Sequence, residues 1–89
     1  MAGFFIFTNM RIIESFTHGQ CLVSILKMNS KFIVKIEAGP YEQTFKVDEM
    51  DITNLGNLKK VLTPEFLNKV QSRFMAMHAE FSEELAKVI

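Results

Sequence analysis

Residues 31–48 read KFIVKIEAGPYEQTFKVD, and this stretch decides the fold. Apolar and polar side chains alternate on both sides of a central AGPY segment, which is the two-residue period of a β-strand with one buried face. Ala38-Gly39-Pro40-Tyr41 has the composition of a tight turn. A register that places Val34 opposite Phe45 gathers the apolar side chains of both halves on one face. The stretch therefore predicts an antiparallel hairpin.

A second hairpin is predicted directly upstream. Residues 21–28 (CLVSILKM) meet the strand that starts at Lys31 across Asn29-Ser30, and Asn is suited to left-handed turn positions. Their register places Ile25 opposite Val34, on the same face as the apolar side chains of the first hairpin. The other face carries four further apolar residues: Leu22, Leu26, Met28 and Ile33. Both faces are therefore partly apolar, which is unusual for a sheet with one side in water.

Further strands complete a predicted antiparallel sheet of four to five strands within residues 1–50. Residues 11–18 (RIIESFTH) are rich in β-branched and aromatic side chains and are followed by Gly19. Residues 3–8 (GFFIFT) form a short apolar run that is also interpreted as a strand, although its period alone does not separate a strand from a helix. The connections between the strands are short, so we expect hairpins rather than crossovers.

Residues 53–89 are predicted to be helical. Thr63-Pro64-Glu65 is typical of an N-cap, a proline at the first helical position and an acid in the first turn, so a long helix runs from residue 64 to about residue 88. A shorter helix, from about residue 53 to 62, precedes it and is weakened by Gly56. The long helix has one apolar stripe: Phe66, Val70, Phe74, Met77, Phe81, Leu85 and Val88. This spacing predicts a straight helix packed on one face of the sheet.

The predicted helix is longer than the sheet beneath it. At roughly 1.5 Å per residue, a helix of about 25 residues is ~37 Å long. Strands spaced about 4.8 Å apart, each ~20–26 Å long, make a sheet only ~20–24 Å wide. Because the apolar stripe continues over the overhanging end, that end needs cover from a second copy or from a partner. The predicted interface comprises the second sheet face and the distal helix: Leu22, Leu26, Met28, Ile33, Phe81, Leu85, Val88 and Ile89.

The composition fits a single domain spanning residues 1–89. Apolar residues make up 48% of the chain and include nine Phe and six Met, which is more than the thin core of so short a chain easily hides. Ten Lys and Arg balance ten Asp and Glu, so no net charge favours nucleic acid or an anionic membrane. The apolar N-terminal run is too short for a signal peptide or a membrane span. With one cysteine and no possible intrachain disulfide, we expect a cytoplasmic protein with no membrane partner.

The residues that could carry chemistry form no recognisable catalytic or metal-binding pattern. Cys21 lies in an apolar strand, where a thiol behaves as a small hydrophobe, although His18 is three residues away. One Cys and two His, with no metal-ligand spacing among them, are too few for a structural zinc site. The four glycines are widely separated and do not form a phosphate-binding loop. We therefore expect no cofactor, no metal and no enzymatic activity.

Basic side chains on neighbouring strands raise an alternative function. Lysines interleaved with aromatic residues on a sheet can bind single-stranded nucleic acid, and the candidate contacts are Lys27, Lys31, Lys35 and Lys46. However, the predicted register points Phe32 and Phe45 to the face opposite Lys31, Lys35 and Lys46. Lysines at strand edges also prevent sheets from pairing with one another, which is a purely structural role.

The sequence favours a non-enzymatic protein–protein interaction domain. We expect a homodimer, or a small regulator, inhibitor or assembly component that binds a larger protein through apolar surface. Nucleic-acid binding through the lysines is the first alternative. A small-ligand binder or enzyme with a pocket between helix and sheet is the second. Met75 and Ala79, on the side of the helix away from the stripe, add a weak indication of a partner surface.

Overall fold

The computed structural model of the protein describes residues 10–89. Four strands come first: β1 (Met10–His18), β2 (Cys21–Met28), β3 (Lys31–Ala38) and β4 (Tyr41–Asp48). Three helices follow: α1 (Glu49–Ile52), α2 (Leu55–Val61) and α3 (Pro64–Ala86). The predicted strand at residues 3–8 lies outside the described residues. The α+β class, with an antiparallel sheet followed by a long C-terminal helix, is confirmed.

The strands pair in chain order, β1-β2-β3-β4, and all three pairs are antiparallel. The predicted registers are confirmed, because Val34 lies opposite both Ile25 on β2 and Phe45 on β4. The turns need left-handed backbone conformations, which Gly39 adopts with φ of 58° and Asn29 with φ of 56°. The residues of the turns and the alternation of apolar and polar side chains along the strands therefore specify the same strand register.

The hydrophobic core lies between the helices and one face of the sheet, called here the core face. Its strand residues are Cys21, Val23, Ile25, Phe32, Val34 and Ile36. The helices contribute Leu58, Leu67, Val70 and Phe74. Each fully buried aliphatic side chain contributes about 1.5–3 kcal/mol relative to exposure, so this layer supplies the main driving force for folding. The opposite side of the sheet, which carries Leu26 and Ile33, is called the second face.

The start of α3 follows the predicted cap. Thr63 Oγ1 accepts a hydrogen bond from the Phe66 backbone N–H at 3.1 Å, and Pro64 occupies the first turn. The helix ends at Ala86, two residues before the predicted end. Leu67 is buried although the predicted stripe omitted it, because it lies three residues before Val70 on the same side of the helix. The core-facing side is therefore wider than the stripe.

The connection between sheet and helices differs from the sequence prediction. The chain forms a helical turn, α1, directly after β4, where the sequence placed the end of the sheet at residue 50. Lys27 Nζ anchors this turn through Glu49 Oε1 at 2.9 Å. Thr53, with φ of 65°, separates α1 from α2, and Asn54 caps α2 by accepting a hydrogen bond from the Asn57 backbone N–H at 2.8 Å. The shorter predicted helix therefore begins at Leu55 rather than at residue 53.

Three polar contacts fix α3 on the sheet. His18 Nε2 donates to Asn68 Oδ1 at 3.0 Å, and Gln43 Nε2 donates to the Val70 carbonyl at 3.0 Å. Tyr41 Oη and His78 Nδ1 form a third hydrogen bond, also at 3.0 Å. These contacts reach from residue 68 to residue 78, so the helix is held over its first two thirds.

Candidate functional site

The end of α3 and the three residues after it form an exposed segment, residues 78–89, called here the distal arm. Every residue of the distal arm is exposed to solvent. Its apolar side chains are Phe81, Leu85, Val88 and Ile89, and they expose between 42% and 91% of their surface. These are the four distal residues that the sequence predicts for an interface, and the structure places them together at one end of the molecule.

The distal arm projects because α3 is longer than its attachment to the sheet. The 23 residues of α3 span ~35 Å at about 1.5 Å per residue. In the described part of the chain, the Tyr41–His78 pair is the last hydrogen bond between α3 and the sheet, and Tyr41 is the first residue of β4. Residues beyond His78 therefore extend past the turn that joins β3 to β4.

The apolar side of the distal arm continues the core-facing side of α3. Phe81 follows Phe74 by seven residues, which is two turns, and Leu85 and Val88 follow at steps of four and three. The apolar side therefore points to the same side of α3 as Phe74, but the structure leaves it exposed rather than packed on the core. The same side of α3 therefore carries a buried residue, Phe74, and an exposed one, Phe81.

Four of the other eight residues of the distal arm are charged. Glu80, Glu83 and Glu84 outnumber the single Lys87, whose Nζ lies 2.8 Å from Glu84 Oε2. An exposed pair of this kind contributes only a few tenths of a kcal/mol to stability. The main effect of these charges is to keep the outer side of the distal arm in water, so the apolar side remains the part suited to contact.

A groove lies where the distal arm leaves the sheet, and it is called here the corner groove. Its volume is about 440 Å³. Its principal lining residues are Ala38, Pro40, Tyr41, Phe74, Met75 and His78. Met75 is 74% exposed, and Tyr41 and His78 stack edge to face with ring centroids 5.8 Å apart. The groove therefore adds apolar and aromatic surface next to the start of the distal arm.

The second face offers less apolar surface than the sequence predicts. Leu22 is exposed and Met28 is partly buried, but Leu26 and Ile33 keep only 8% and 4% of their surface in contact with solvent. A groove of about 380 Å³ runs along this face, lined by Met10, Leu26, Met28, Ile33, Lys35 and Lys46 among others. Of the four predicted interface residues on this face, only Leu22 presents a large exposed fraction.

The four lysines that the sequence predicts to contact nucleic acid do not lie on one face of the sheet: Lys27 is on one face and the other three are on the opposite face. Lys27 lies on the core face, where its ammonium group is 5.0 Å from the centroid of the Phe32 ring and pairs with Glu49. The strand alternation places Lys31, Lys35 and Lys46 on the second face. Ion pairs partly neutralise two of these lysines: Lys31 with Asp48 at 3.5 Å and Lys35 with Glu42 at 3.8 Å.

A pocket of about 270 Å³ lies between the sheet and the helices, as the second alternative requires. Within the described part of the chain its lining is wholly aliphatic and aromatic: Val34, Phe45, Val47, Leu58, Val61, Leu62 and Phe66. Such a lining could hold an apolar group, but none of these side chains can transfer a proton or act as a nucleophile.

Cys21 is buried, and residues 10–89 hold no metal-binding cluster of His, Cys, Asp or Glu side chains. Cys21 is buried in the core, and its burial raises the pKa of the thiol, which opposes formation of a nucleophilic thiolate. No group of three His, Cys, Asp or Glu side chains in this range is placed to hold a metal ion. None of the described helices is long and apolar enough to cross a membrane.

Comparisons with known proteins return no relationship from which a function could be transferred. The chain matches no protein-family model, no curated protein and no solved structure. The functional interpretation therefore depends on the distal arm, the corner groove and the second face alone.

Proposed function

We propose that this chain is a protein–protein interaction domain that forms a homodimer through its distal arm. In this role it acts by binding, as a small regulator, inhibitor or assembly component, and not by catalysis. The observation that carries the proposal is the run of twelve exposed residues, 78–89, with the apolar side chains of Phe81, Leu85 and Val88 on one side. A hydrophobic strip of this kind, surrounded by charged residues, is typical of a contact surface.

The energetics favour covering the apolar side of the distal arm. Fully burying a Val, Leu, Ile or Phe side chain contributes about 1.5–3 kcal/mol relative to leaving it in water. The monomer leaves part of this contribution unused at Phe81, Leu85 and Val88, although the same helix buries Val70 and Phe74 completely or nearly so. A partner that covers the distal arm would add several kcal/mol of favourable burial, from which the cost of association must be subtracted.

A second copy of the chain is the partner that fits this surface most simply. A two-fold interface uses the same patch on both subunits, so the apolar strip of one copy can pack on the identical strip of the other without a second kind of surface. Two distal arms packed antiparallel would place each strip on the other and leave the outer acids, such as Glu83, in water. The net charge of zero gives no long-range repulsion between two copies.

The test is the double substitution Leu85→Glu with Val88→Glu. We expect the wild-type chain to sediment as a dimer at high protein concentration and the double variant to sediment as a monomer, because four charges would enter one apolar interface. Ala79→Glu is the matched control, since it adds a charge to the opposite side of the same distal arm. A wild-type chain that stays monomeric at every concentration, or a double variant that dimerises as wild type, contradicts the proposal.

A second candidate function is nucleic-acid binding by the second face. The observation in its favour is that Lys35 and Lys46 line the groove on this face, with Lys31 on the same side of β3. Electrostatic binding of this type weakens steeply as salt concentration rises. Filter binding of single-stranded DNA and RNA at low salt tests it, with Lys35→Glu and Lys46→Glu expected to abolish retention. Absence of retention by the wild-type chain excludes this function.

A further inference from the structure

The pocket between the sheet and the helices, called here the apolar pocket, has a buried floor and an exposed rim. Val34 on β3 and Leu58 on α2 form the floor, and each exposes only 2% of its surface. Phe45 on β4 and Val61 on α2 form the rim and expose 38% and 50% of their surface. The rim therefore gives access to apolar surface without disturbing the core residues beneath it.

The apolar pocket is large enough for a short hydrocarbon chain. Its volume is about 270 Å³. An apolar cavity of about 150 Å³ holds a molecule of benzene, with its six carbons, so by proportion the apolar pocket has room for about eight to ten carbons. A water molecule needs two to four polar partners, and the side chains that line the pocket in the described chain supply none. The pocket therefore suits a hydrocarbon group better than it suits water.

A second groove adjoins the apolar pocket at Phe45. Its volume is about 440 Å³, and its lining residues are Gln43, Thr44, Phe45 and Arg73. The Phe45 ring stands edge to face on the ring of Phe66, another residue of the apolar pocket, with the centroids 5.7 Å apart. The two spaces therefore share the Phe45 side chain as a common wall, on β4 at the edge of the sheet.

Arg73 places a positive charge in this second groove. It follows Phe66 by seven residues, so it lies on the same side of α3 and ~10 Å further along the helix. No acid stands three or four residues before or after Arg73 on α3. The ion pairs among the described residues do not include Arg73 either. Its guanidinium donors are therefore not engaged by a carboxylate of the described chain.

From these observations we propose that the apolar pocket and Arg73 together bind a fatty acid with a chain of about eight to ten carbons. The hydrocarbon chain occupies the apolar pocket, and the carboxylate accepts hydrogen bonds from the planar guanidinium, which matches its geometry. An extended chain advances about 1.2 Å per bond, so a chain of this length also spans the ~10 Å between Phe66 and Arg73. The inference does not depend on the proposed homodimer, because neither the apolar pocket nor Arg73 belongs to the distal arm.

Calorimetric titration with octanoate, octanol and acetate tests the two parts of the site. We expect saturable binding of octanoate, at least tenfold weaker binding of octanol, which lacks the charge, and no detectable binding of acetate, which lacks the chain. From butanoate to octanoate, each buried methylene should tighten binding by up to about fourfold. Octanol that binds as tightly as octanoate, or octanoate that does not bind, would overturn the proposal. So would an affinity that rises without a plateau up to hexadecanoate, because that is the behaviour of unspecific adsorption.

The substitution Arg73→Gln tests the contact with the carboxylate. We expect the dissociation constant of octanoate to rise at least tenfold and that of octanol to stay unchanged, because only the charged head loses its partner. Arg11→Gln is the matched control: it is the same change on β1, at the opposite edge of the sheet from β4, and should leave both constants at the wild-type values. An equal effect of the two substitutions would mean that only net charge matters, which overturns the site.

The substitution Val61→Gln tests the apolar pocket itself. Val61 is half exposed on the rim, so the variant should fold, which thermal unfolding verifies. We expect octanoate and octanol to weaken by the same factor, because both lose apolar contact at the rim. Unchanged binding of both would place the chain elsewhere and overturn the proposal. Each of these outcomes leaves the proposed homodimer untouched, since that is tested by sedimentation of the distal-arm variants.

Discussion

Two phenylalanines on one side of α3 provide a sharp comparison of buried and exposed positions. Phe74 and Phe81 are separated by seven residues, or two helical turns, and Phe74 is 6% exposed whereas Phe81 is 58% exposed. Removing a buried Phe side chain leaves a cavity and typically costs about 3–5 kcal/mol. We therefore expect Phe74→Ala to lower the free energy of unfolding by this amount.

The same substitution at Phe81 should hardly change the stability of the monomer. The loss of partial contacts is offset by the higher helix propensity of alanine, so we expect a change within about 1 kcal/mol. In the proposed dimer we expect a larger effect, because 58% of a Phe side chain corresponds to roughly 90–145 Å² and to about 2–4 kcal/mol per copy as an upper bound. Phe81→Ala should therefore weaken dimerisation at least tenfold.

Urea unfolding, followed by circular dichroism at two protein concentrations, measures both effects. In dilute solution, where the proposed dimer should dissociate, only Phe74→Ala should shift the transition strongly. At high concentration the proposed dimer should stabilise the wild-type chain, and Phe81→Ala should lose that gain. If Phe81→Ala destabilises the dilute protein as much as Phe74→Ala does, the distal arm is packed within the monomer and the reasoning is refuted.

Further predictions concern the turns and the cysteine. Gly19 and Gly39 both have positive φ, but a Cβ on Gly19 would clash with the Gln71 side chain, whereas one on Gly39 is free of the described atoms. By thermal unfolding, Gly39→Ala and Gly19→Ala should each cost about 1–2 kcal/mol from backbone strain, because the flexible end of the Gln71 side chain can move away from a Cβ on Gly19; a much larger loss at Gly19 would mean that Gln71 is held in place. Because burial raises the pKa of the Cys21 thiol, its labelling by a thiol reagent at neutral pH should be orders of magnitude slower in the folded chain than in denaturant, and equal rates would contradict the structure. The same shift means that folding stability declines once the pH rises above the pKa of the unfolded thiol, which a pH series of the unfolding free energy measures.

The sheet could be predicted from the sequence because the pattern that specifies each strand pair lies within a short, continuous stretch of the chain. Alternation on both sides of Gly39 fixed the pairing of Val34 with Phe45, and a slip of one residue would have moved both to the wrong face. The start of α3 could also be predicted, because Thr63 and Pro64 are typical of the first residues of a helix. The break at Thr53 was not predictable, because a threonine with positive φ follows from tertiary contacts rather than from its own preference.

The candidate site was predicted only in part. The stripe that includes Phe81 and Leu85 showed that apolar side chains would overhang the sheet, since this needs only the lengths of the elements. The corner groove depends on where α3 crosses the sheet, and the spacing of apolar residues in the sequence does not indicate where that crossing lies. The Tyr41–His78 hydrogen bond, which marks the end of the attachment, joins residues 37 positions apart and carried no sequence signal.

The order of the strands has a consequence for how the chain folds. Because each strand of β1-β2-β3-β4 pairs with its immediate neighbour in the chain, each pairing closes only a short loop, which costs little entropy and permits rapid zippering. During synthesis the complete sheet leaves the ribosome before α3 does. The core face therefore stays uncovered until its last element arrives, and in that interval Val23, Ile25 and Ile36 are the surface that a chaperone or an aggregate would encounter.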